Sequence, residues 1–166
     1  YTTETDSPFT SVVGSCVAIG TDIYVYGGMN DQNEGTFPKL FYKYDTLTKT
    51  WTSLPYHDGP ALYSTACTTF DGKLYAFGGE YANASGGDAN VRVFDPGTGT
   101  WSKLTVTGTA PGPRGAVALV KYDDTRFIAI GGRVGAGNRC TAETWVFDIT
   151  TLKWTALNPL PVVVAF

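Results

Sequence analysis

The stretch DPGTGTW, residues 95–101, places an aspartate six residues ahead of a tryptophan, across a segment rich in glycine and threonine. The same spacing recurs in DTLTKTW (45–51) and DITTLKW (148–154), and each copy has a threonine midway. An aspartate side chain can accept a hydrogen bond from the backbone N–H two residues on, which fixes a chain reversal. Each copy therefore predicts a turn that leads into a strand, and three copies indicate an internal repeat.

A second landmark precedes each of these turns, namely a double glycine at the end of a short apolar run. The three copies are IYVYGG (23–28), LYAFGG (74–79) and FIAIGG (127–132). Their first glycines are 51 and 53 residues apart, and the tryptophans are 50 and 53 residues apart. A glycine has no Cβ, so another strand can approach it closely. A period of about 50 residues built from short β-type segments is typical of propeller blades.

Each unit divides into four short segments rich in Val, Tyr, Phe and Thr, which is the composition of strands. No segment shows a helix cap followed by a 3.6-residue period. We predict an all-β fold in which the single segment 1–166 forms three four-stranded antiparallel blades. The predicted blades cover about residues 11–54, 61–104 and 113–157, and residues 158–166 begin a further inner strand.

The double glycine, the aromatic residue before the turn and the spaced tryptophan together resemble the kelch repeat. This resemblance implies a β-propeller in which each repeat supplies about one blade. Only the third unit carries the Pro-Arg pair found in many kelch repeats, at Pro113 and Arg114. The matching residues, with the turn aspartates, are Gly27, Gly28, Tyr44, Asp45 and Trp51; Gly78, Gly79, Phe94, Asp95 and Trp101; and Gly131, Gly132, Phe147, Asp148 and Trp154.

Three blades are too few for a closed ring, because propellers have typically four to eight. An open arc leaves an apolar face on each terminal blade, and soluble proteins rarely expose such large patches. Two arrangements cover these faces: the remaining blades of a longer chain, or a second copy that closes a six-bladed ring by two-fold symmetry. The abrupt stop at Phe166, inside the further inner strand, favours the first arrangement.

Composition narrows the function classes. The net charge is −3 with 12 basic and 15 acidic residues, so no basic surface for nucleic acid is indicated. No apolar run reaches the ~18 residues that a membrane span requires. The three cysteines are odd in number and widely spaced, which suits neither a disulfide framework nor a zinc site. The sequence does not indicate a compartment.

Catalytic residues are not evident. His57 is the only histidine, and we expect it to be a solvated turn residue. One histidine cannot supply the copper site of galactose oxidase, a kelch-type enzyme that this chain resembles in repeat architecture. We expect no cofactor or metal within these residues, and the question of enzyme activity stays open. One alternative is a larger enzyme propeller whose catalytic residues lie outside this chain, and another is a carbohydrate-binding propeller.

Loops on one face of the disc are the candidate binding site. The loop after each double glycine and the loop entering each first strand should lie on the same face, and rigidly held loops often carry function. Arginine there suits the recognition of carboxylates or phosphates. We therefore expect a non-catalytic scaffold that binds another protein, as the kelch resemblance implies. The candidate residues are Arg114, Arg133, Arg139, Glu80, Tyr81, Asp31 and Glu34.

Overall fold

The computed structural model describes residues 6–9, 14–29, 37–81, 87–135 and 139–166. Within these ranges every regular element is a β-strand, and the strands form three four-stranded antiparallel sheets and two short ribbons. The prediction of an all-β fold with three four-stranded antiparallel blades is confirmed. No helix in the described ranges is long and apolar enough to cross a membrane.

Each blade is a meander in which consecutive long strands pair with each other. Blade 1 contains β1 (Ser15–Ile19), β2 (Asp22–Tyr26), β3 (Phe41–Asp45) and β4 (Thr50–Ser53). The ribbon of blade 2 contains β5 (Leu62–Tyr63) and β8 (Glu80–Tyr81), and the blade itself contains β6 (Ala66–Phe70), β7 (Lys73–Phe77), β9 (Val91–Asp95) and β10 (Thr100–Lys103). The ribbon of blade 3 contains β11 (Arg114–Gly115), β14 (Arg133–Val134) and β15 (Arg139–Cys140), and the blade contains β12 (Ala118–Lys121), β13 (Arg126–Ile130), β16 (Thr144–Asp148) and β17 (Lys153–Ala156).

The hydrophobic core lies between blades, because successive side chains of a strand point to opposite faces. In β7, Leu74 and Ala76 pack against blade 1, whereas Tyr75 and Phe77 pack toward blade 3. One core cluster contains Tyr24, Tyr26, Phe41, Leu74, Ala76 and Phe94. The other contains Ala66, Phe70, Phe77, Val91, Val117, Phe127, Ala129, Phe147 and Trp154.

The tryptophans of blades 2 and 3 fasten their outer strands to the preceding blade. The ring of Trp101 lies 4.9 Å from that of Tyr26 and 5.0 Å from that of Phe41, both in blade 1. Its indole N–H donates to the carbonyl oxygen of Pro55 at 3.0 Å. The ring of Trp154 lies 4.8 Å from that of Phe77 in blade 2. These contacts bury aromatic surface that a single blade leaves exposed.

The aspartate turns have the hydrogen bonds that their residues suggest. The Oδ1 atom of Asp45 accepts the backbone N–H groups of Leu47 and Thr48, each at 2.9 Å. These contacts lower the pKa of Asp45, with the N–H of Thr48 contributing most. Similar contacts join Asp95 to the N–H of Gly97, and Asp148 to the N–H groups of Thr150 and Thr151.

The double glycines clamp neighbouring blades together. Gly78 and Gly79 both have positive φ, 70° and 111°, which residues with a side chain rarely adopt. The N–H of Gly79 donates to the carbonyl oxygen of Arg114 at 2.8 Å, and a Cβ on Gly78 would lie 2.5 Å from that same oxygen. The equivalent acceptor of the first pair is Leu62, and that of the third pair is Val164.

The last residues continue this pattern. Ala116 N–H donates to the carbonyl oxygen of Ser64 at 2.8 Å, and Phe166 N–H donates to that of Ala116 at 2.9 Å. The segment 164–166 therefore lies against blade 3 as Arg114–Ala116 lies against blade 2. That a further inner strand begins in residues 158–166 stays a prediction, as do the boundaries of the blades.

Candidate functional site

The two ribbons extend the blades at the edge where the double glycines end the second strands. In the ribbon of blade 2, Leu62 pairs with Tyr81, and Tyr63 pairs with Glu80. In the ribbon of blade 3, β14 pairs with both β11 and β15. Sequence reasoning expected loops here, because two-residue strands are too short to show a period. The ribbons carry Glu80, Tyr81, Arg114, Arg133 and Arg139.

An ion pair joins the two ribbons across the boundary between blades 2 and 3. Arg133 Nε lies 2.9 Å from Glu80 Oε1, and Arg133 Nη2 lies 3.0 Å from Glu80 Oε2. Arg133 Nη2 also donates to the hydroxyl of Ser64 at 3.4 Å. The hydrogen bonds of Nη2 to Glu80 and Ser64 orient the guanidinium, whereas Nε lies close to Oε1 but has no hydrogen-bond partner among the described residues. The ribbons of blades 2 and 3 are therefore held in one arrangement.

Aromatic residues flank this ion pair. The ring of Phe37, which precedes β3 of blade 1, lies 5.1 Å from the ring of Tyr63. Burial raises the pKa of Tyr63, and the contact of its hydroxyl with Glu80 raises it further. The hydroxyl is consequently protonated at neutral pH and acts as a donor. Side chains from three blades thus meet around the ion pair, where Phe37, Tyr63, Glu80 and Arg133 lie on one side of the ribbons. Tyr81 and Arg139 project from the other side of their strands. We call the two ribbons with these six residues the ribbon face.

Arg114 occupies a different position from the other two arginines. Its side chain is 2% exposed. Its Nη2 donates to Glu143 at 2.6 Å, its Nη1 to the carbonyl oxygen of Gly131 at 3.3 Å, and its Nε to that of Gly112 at 3.1 Å. These contacts lower the pKa of Glu143, with Arg114 contributing most. The guanidinium therefore binds groups of its own chain beside the third double glycine.

The other predicted binding residues differ in how exposed they are and in whether the structure describes them. Arg139 is exposed, and it has no ion pair within the part of the chain that the structure describes. Tyr81 is half-buried next to Glu80 in β8. Asp31 and Glu34 lie outside the described residues. The role of these residues in binding stays a prediction.

His57 is not the solvated turn residue that the sequence suggested. Its side chain is buried, with 6% exposed, and its ring lies 4.3 Å from that of Tyr56. The N–H of Gly59 donates to its Nδ1 at 2.9 Å, so the neutral ring carries its proton on Nε2. Nε2 has no hydrogen-bond partner among the described residues. The loop from blade 1 folds over blade 2 and buries the ring there, which a neighbouring Asp-Gly in the sequence did not indicate.

Stability should fall with acid because of His57. Burial lowers its pKa to about 4, and the charge of Arg92 adds to the effect, opposed by Asp88. An unfolded histidine has a pKa near ~6.5. The unfolded state therefore takes up a proton first, and the stabilisation is complete above pH ~6.5 and decreases toward pH ~4. Urea unfolding at several pH values should show this decrease in the wild type and a flatter profile for His57→Gln. The same dependence of stability on pH in the wild type and in His57→Gln would contradict the assignment of this effect to His57.

No group of three or more His, Cys, Asp or Glu residues within the described ranges is arranged to hold a metal ion. What the described residues do define is a set of blades that pack face to face, with clamped edges and one ribbon-bearing surface. This arrangement is that of a β-propeller segment.

Comparison with known proteins gives the family. Residues 2–162 match the KLHDC2/KLHL20/DRC7 Kelch-repeats domain, so the chain belongs to the kelch-repeat family, and that prediction is confirmed. The match covers nearly the whole chain, including all three double glycines.

Several curated proteins are similar to it. Kelch domain-containing protein 1 from Homo sapiens is 30% identical over 122 residues, which is 71% of this chain and 29% of that protein. Kelch repeat and BTB domain-containing protein 13 from Homo sapiens is 32% identical over 92 residues, which is 55% of this chain and 19% of that protein. N-(sulfonatooxy)prop-2-enimidothioate sulfolyase from Thlaspi arvense is 28% identical over 176 residues, which is 92% of this chain and 49% of that protein. The chain spans less than half the length of each of these relatives.

Proposed function

We propose that this chain is part of a kelch propeller that binds another protein through the ribbon face, without catalysing a reaction itself. The observation that carries the proposal is the Arg133–Glu80 ion pair, which joins two blades at a partly exposed surface. Such a pre-ordered arginine loses little conformational freedom when it binds a partner. Arginine and tyrosine are also the residue types that contribute most often to protein interfaces.

The ribbon face suits a partner with acidic groups. Arg139 is exposed on the side of the blade 3 ribbon opposite to Arg133, and the hydroxyl of Tyr63 donates to Glu80. Arg133 is already neutralised by Glu80, so it offers the outer edge of its guanidinium rather than a full unpaired charge. Acidic groups on the partner would therefore be recognised mainly by Arg139, with a second contact at the outer edge of the Arg133 guanidinium.

The outer flanks of blades 1 and 3 need covering as well. Ile23 on blade 1 and Val120 on blade 3 are exposed large apolar residues. We infer that further blades of the same polypeptide cover these flanks, since the relatives are more than twice as long as the matched region. Pairing with a second copy into a six-bladed ring is the alternative.

Double replacement of Arg133 and Arg139 by alanine tests the ribbon face. We expect the affinity-purified partner to bind the double variant about tenfold more weakly, equivalent to ~1.4 kcal/mol. The matched control is Arg126→Ala, because Arg126 is a partly exposed arginine paired with Asp123 in the β12–β13 hairpin, at the opposite edge of blade 3. Titration calorimetry measures each affinity, and urea unfolding establishes that all variants are folded.

Comparison of the double variant with the Arg126→Ala control tells whether the ribbon face binds the partner. A loss confined to the double variant supports the ribbon face. An equal loss in the control, or unchanged binding of the double variant, would place the interface elsewhere.

A second candidate function is a contribution to an enzyme. The relative from Thlaspi arvense is named as a sulfolyase and matches 92% of this chain. In that case the three blades would be a scaffold, and the catalytic residues would lie on other blades of the same polypeptide. This candidate predicts additional histidine, tyrosine or cysteine residues at the corresponding edge of those blades.

A further inference from the structure

A cleft of about 590 Å³ lies at the boundary of blades 1 and 2, apart from the ribbon face. One wall is the segment 55–59, which follows β4, and the other wall is 99–103, which includes β10. Arg92 of the neighbouring strand β9 also lines it. The cleft therefore follows the whole outer edge of blade 2.

The backbone of β10 has no pairing along this edge within the described residues. β10 pairs with β9, and within the described residues it pairs with no other strand. Leu104 N–H donates to the carbonyl oxygen of Val91, so Ser102, two residues earlier, also directs its backbone groups toward β9. By alternation, the N–H and C=O groups of Trp101 and Lys103 point away from the sheet and toward the cleft. Such an edge is a template for an added strand.

The same edge is covered in blade 3. There Thr107, in the segment after β10, forms a parallel bridge with Lys153 at the start of β17. The N–H of Thr107 donates to the carbonyl oxygen of Leu152 at 3.3 Å. On alignment of the repeats, Leu152 corresponds to Gly99, and Gly99 lines the cleft of blade 2. The chain thus shows how an extended segment occupies this position.

A difference in loop length explains why one edge is covered and the other is open. The segment 104–113 joins β10 to β11, whereas the shorter segment 54–61 joins β4 to β5. The longer connection is two residues longer and reaches the edge of the next outer strand. The shorter one contacts β10 through a side chain instead, because the indole N–H of Trp101 donates to the carbonyl oxygen of Pro55. It leaves the edge of β10 open.

We propose that this cleft binds an extended peptide of a partner protein, added parallel to β10, with an acidic side chain directed at Arg92 and Lys103. Gly99 offers its carbonyl oxygen and Trp101 its N–H, which is the pattern of strand addition. Among the side chains that line the cleft, Lys103 is exposed and supplies a cation at its edge. Arg92 is already bonded to Asp88, and its side chain lines the inner end of the cleft.

A set of synthetic peptides tests the proposal on the isotope-labelled chain. The probes are the capped, fluorescent heptapeptides TVTETVT, TVTKTVT and TVTPTVT, which differ only at the central residue. We expect TVTETVT to bind more tightly than TVTKTVT, and TVTPTVT not to bind, because proline removes a backbone donor and resists pairing. NMR should show the shifts at the backbone amides of Trp101 and Lys103, and slower hydrogen exchange there.

Charge reversal provides the matched control. Lys103→Glu should weaken the binding of TVTETVT about fivefold and strengthen that of TVTKTVT, as expected for one partly exposed ion pair. Lys153→Glu changes an equally exposed lysine on the outer strand of blade 3, whose edge is covered, and should change neither affinity. Both lysines lie on outer strands, so both variants should fold.

A backbone variant tests the strand addition itself. Lys103→Pro removes an N–H that points away from the sheet, so it should keep the pairing with β9 and weaken both peptides. Ala156→Pro at the corresponding position of β17 is its control for folding. Binding of no probe at millimolar concentration, equal effects of the two charge reversals, or shifts at the ribbon face instead of β10 would each overturn the proposal. Because the ribbon face is a separate surface, none of these results bears on the proposed function.

Discussion

The substitution Gly78→Ala is expected to lower the free energy of unfolding by roughly 3 kcal/mol or more. The positive φ of 70° disfavours any residue with a Cβ, by about 1–2 kcal/mol. The added Cβ would also lie 2.5 Å from the carbonyl oxygen of Arg114, a backbone atom that cannot move without shifting the next blade. Overpacking of this kind adds about 1–3 kcal/mol. The effect is large because small domains have only ~5–15 kcal/mol of total stability.

The control for this substitution is Gly72→Ala. Gly72 has nearly the same φ, 69°, but a Cβ there would meet no atom within 4 Å. The pair therefore separates backbone strain from the collision between blades. Urea unfolding should show a loss of about 1 kcal/mol for Gly72→Ala and a much larger loss for Gly78→Ala. Equal losses would mean that the double glycine serves only as a turn.

The blades could be predicted from the sequence because their determinants are local and repeated. The turn at Asp45 needs only the N–H groups of Leu47 and Thr48, and the contact of the aspartate with the N–H two residues on recurs at Asp95 and Asp148. A periodic pattern of this kind survives differences in the intervening residues. The double glycine and the tryptophan are likewise marked in the sequence, although their partners lie in neighbouring blades.

The candidate site was predicted only in part, because its contacts depend on long-range neighbours. Arg114 lies 17 residues from Gly131 and 29 residues from Glu143, and no local pattern indicates that these groups meet. The burial of His57 likewise depends on how one loop crosses the adjacent blade. The difference in connection length is visible in the sequence, because the tryptophans are 50 residues apart in the first interval and 53 in the second. Which edge that difference uncovers required the three-dimensional arrangement.

Arg114→Ala is expected to lower the free energy of unfolding by about 3 kcal/mol, the lower end of the range for breaking a buried ion pair. The lower end applies because Glu143 is half exposed and regains water when its partner is removed. Arg133→Ala removes a pair whose arginine is 30% exposed and should lower stability by less than about 1 kcal/mol. Urea unfolding of the two variants gives the comparison directly.

The two substitutions should rank in the opposite order in their effect on partner binding, with Arg133→Ala the more harmful. Arg133→Ala should weaken the complex with the protein partner while leaving the chain folded, whereas Arg114→Ala should weaken it only as far as it unfolds the chain. The reason is that all three donor contacts of Arg114 are made to Gly112, Gly131 and Glu143, so its guanidinium offers a partner little. A stable Arg114→Ala protein with impaired binding would contradict this division, since it would show that the buried arginine acts on the partner rather than on the junction between blades.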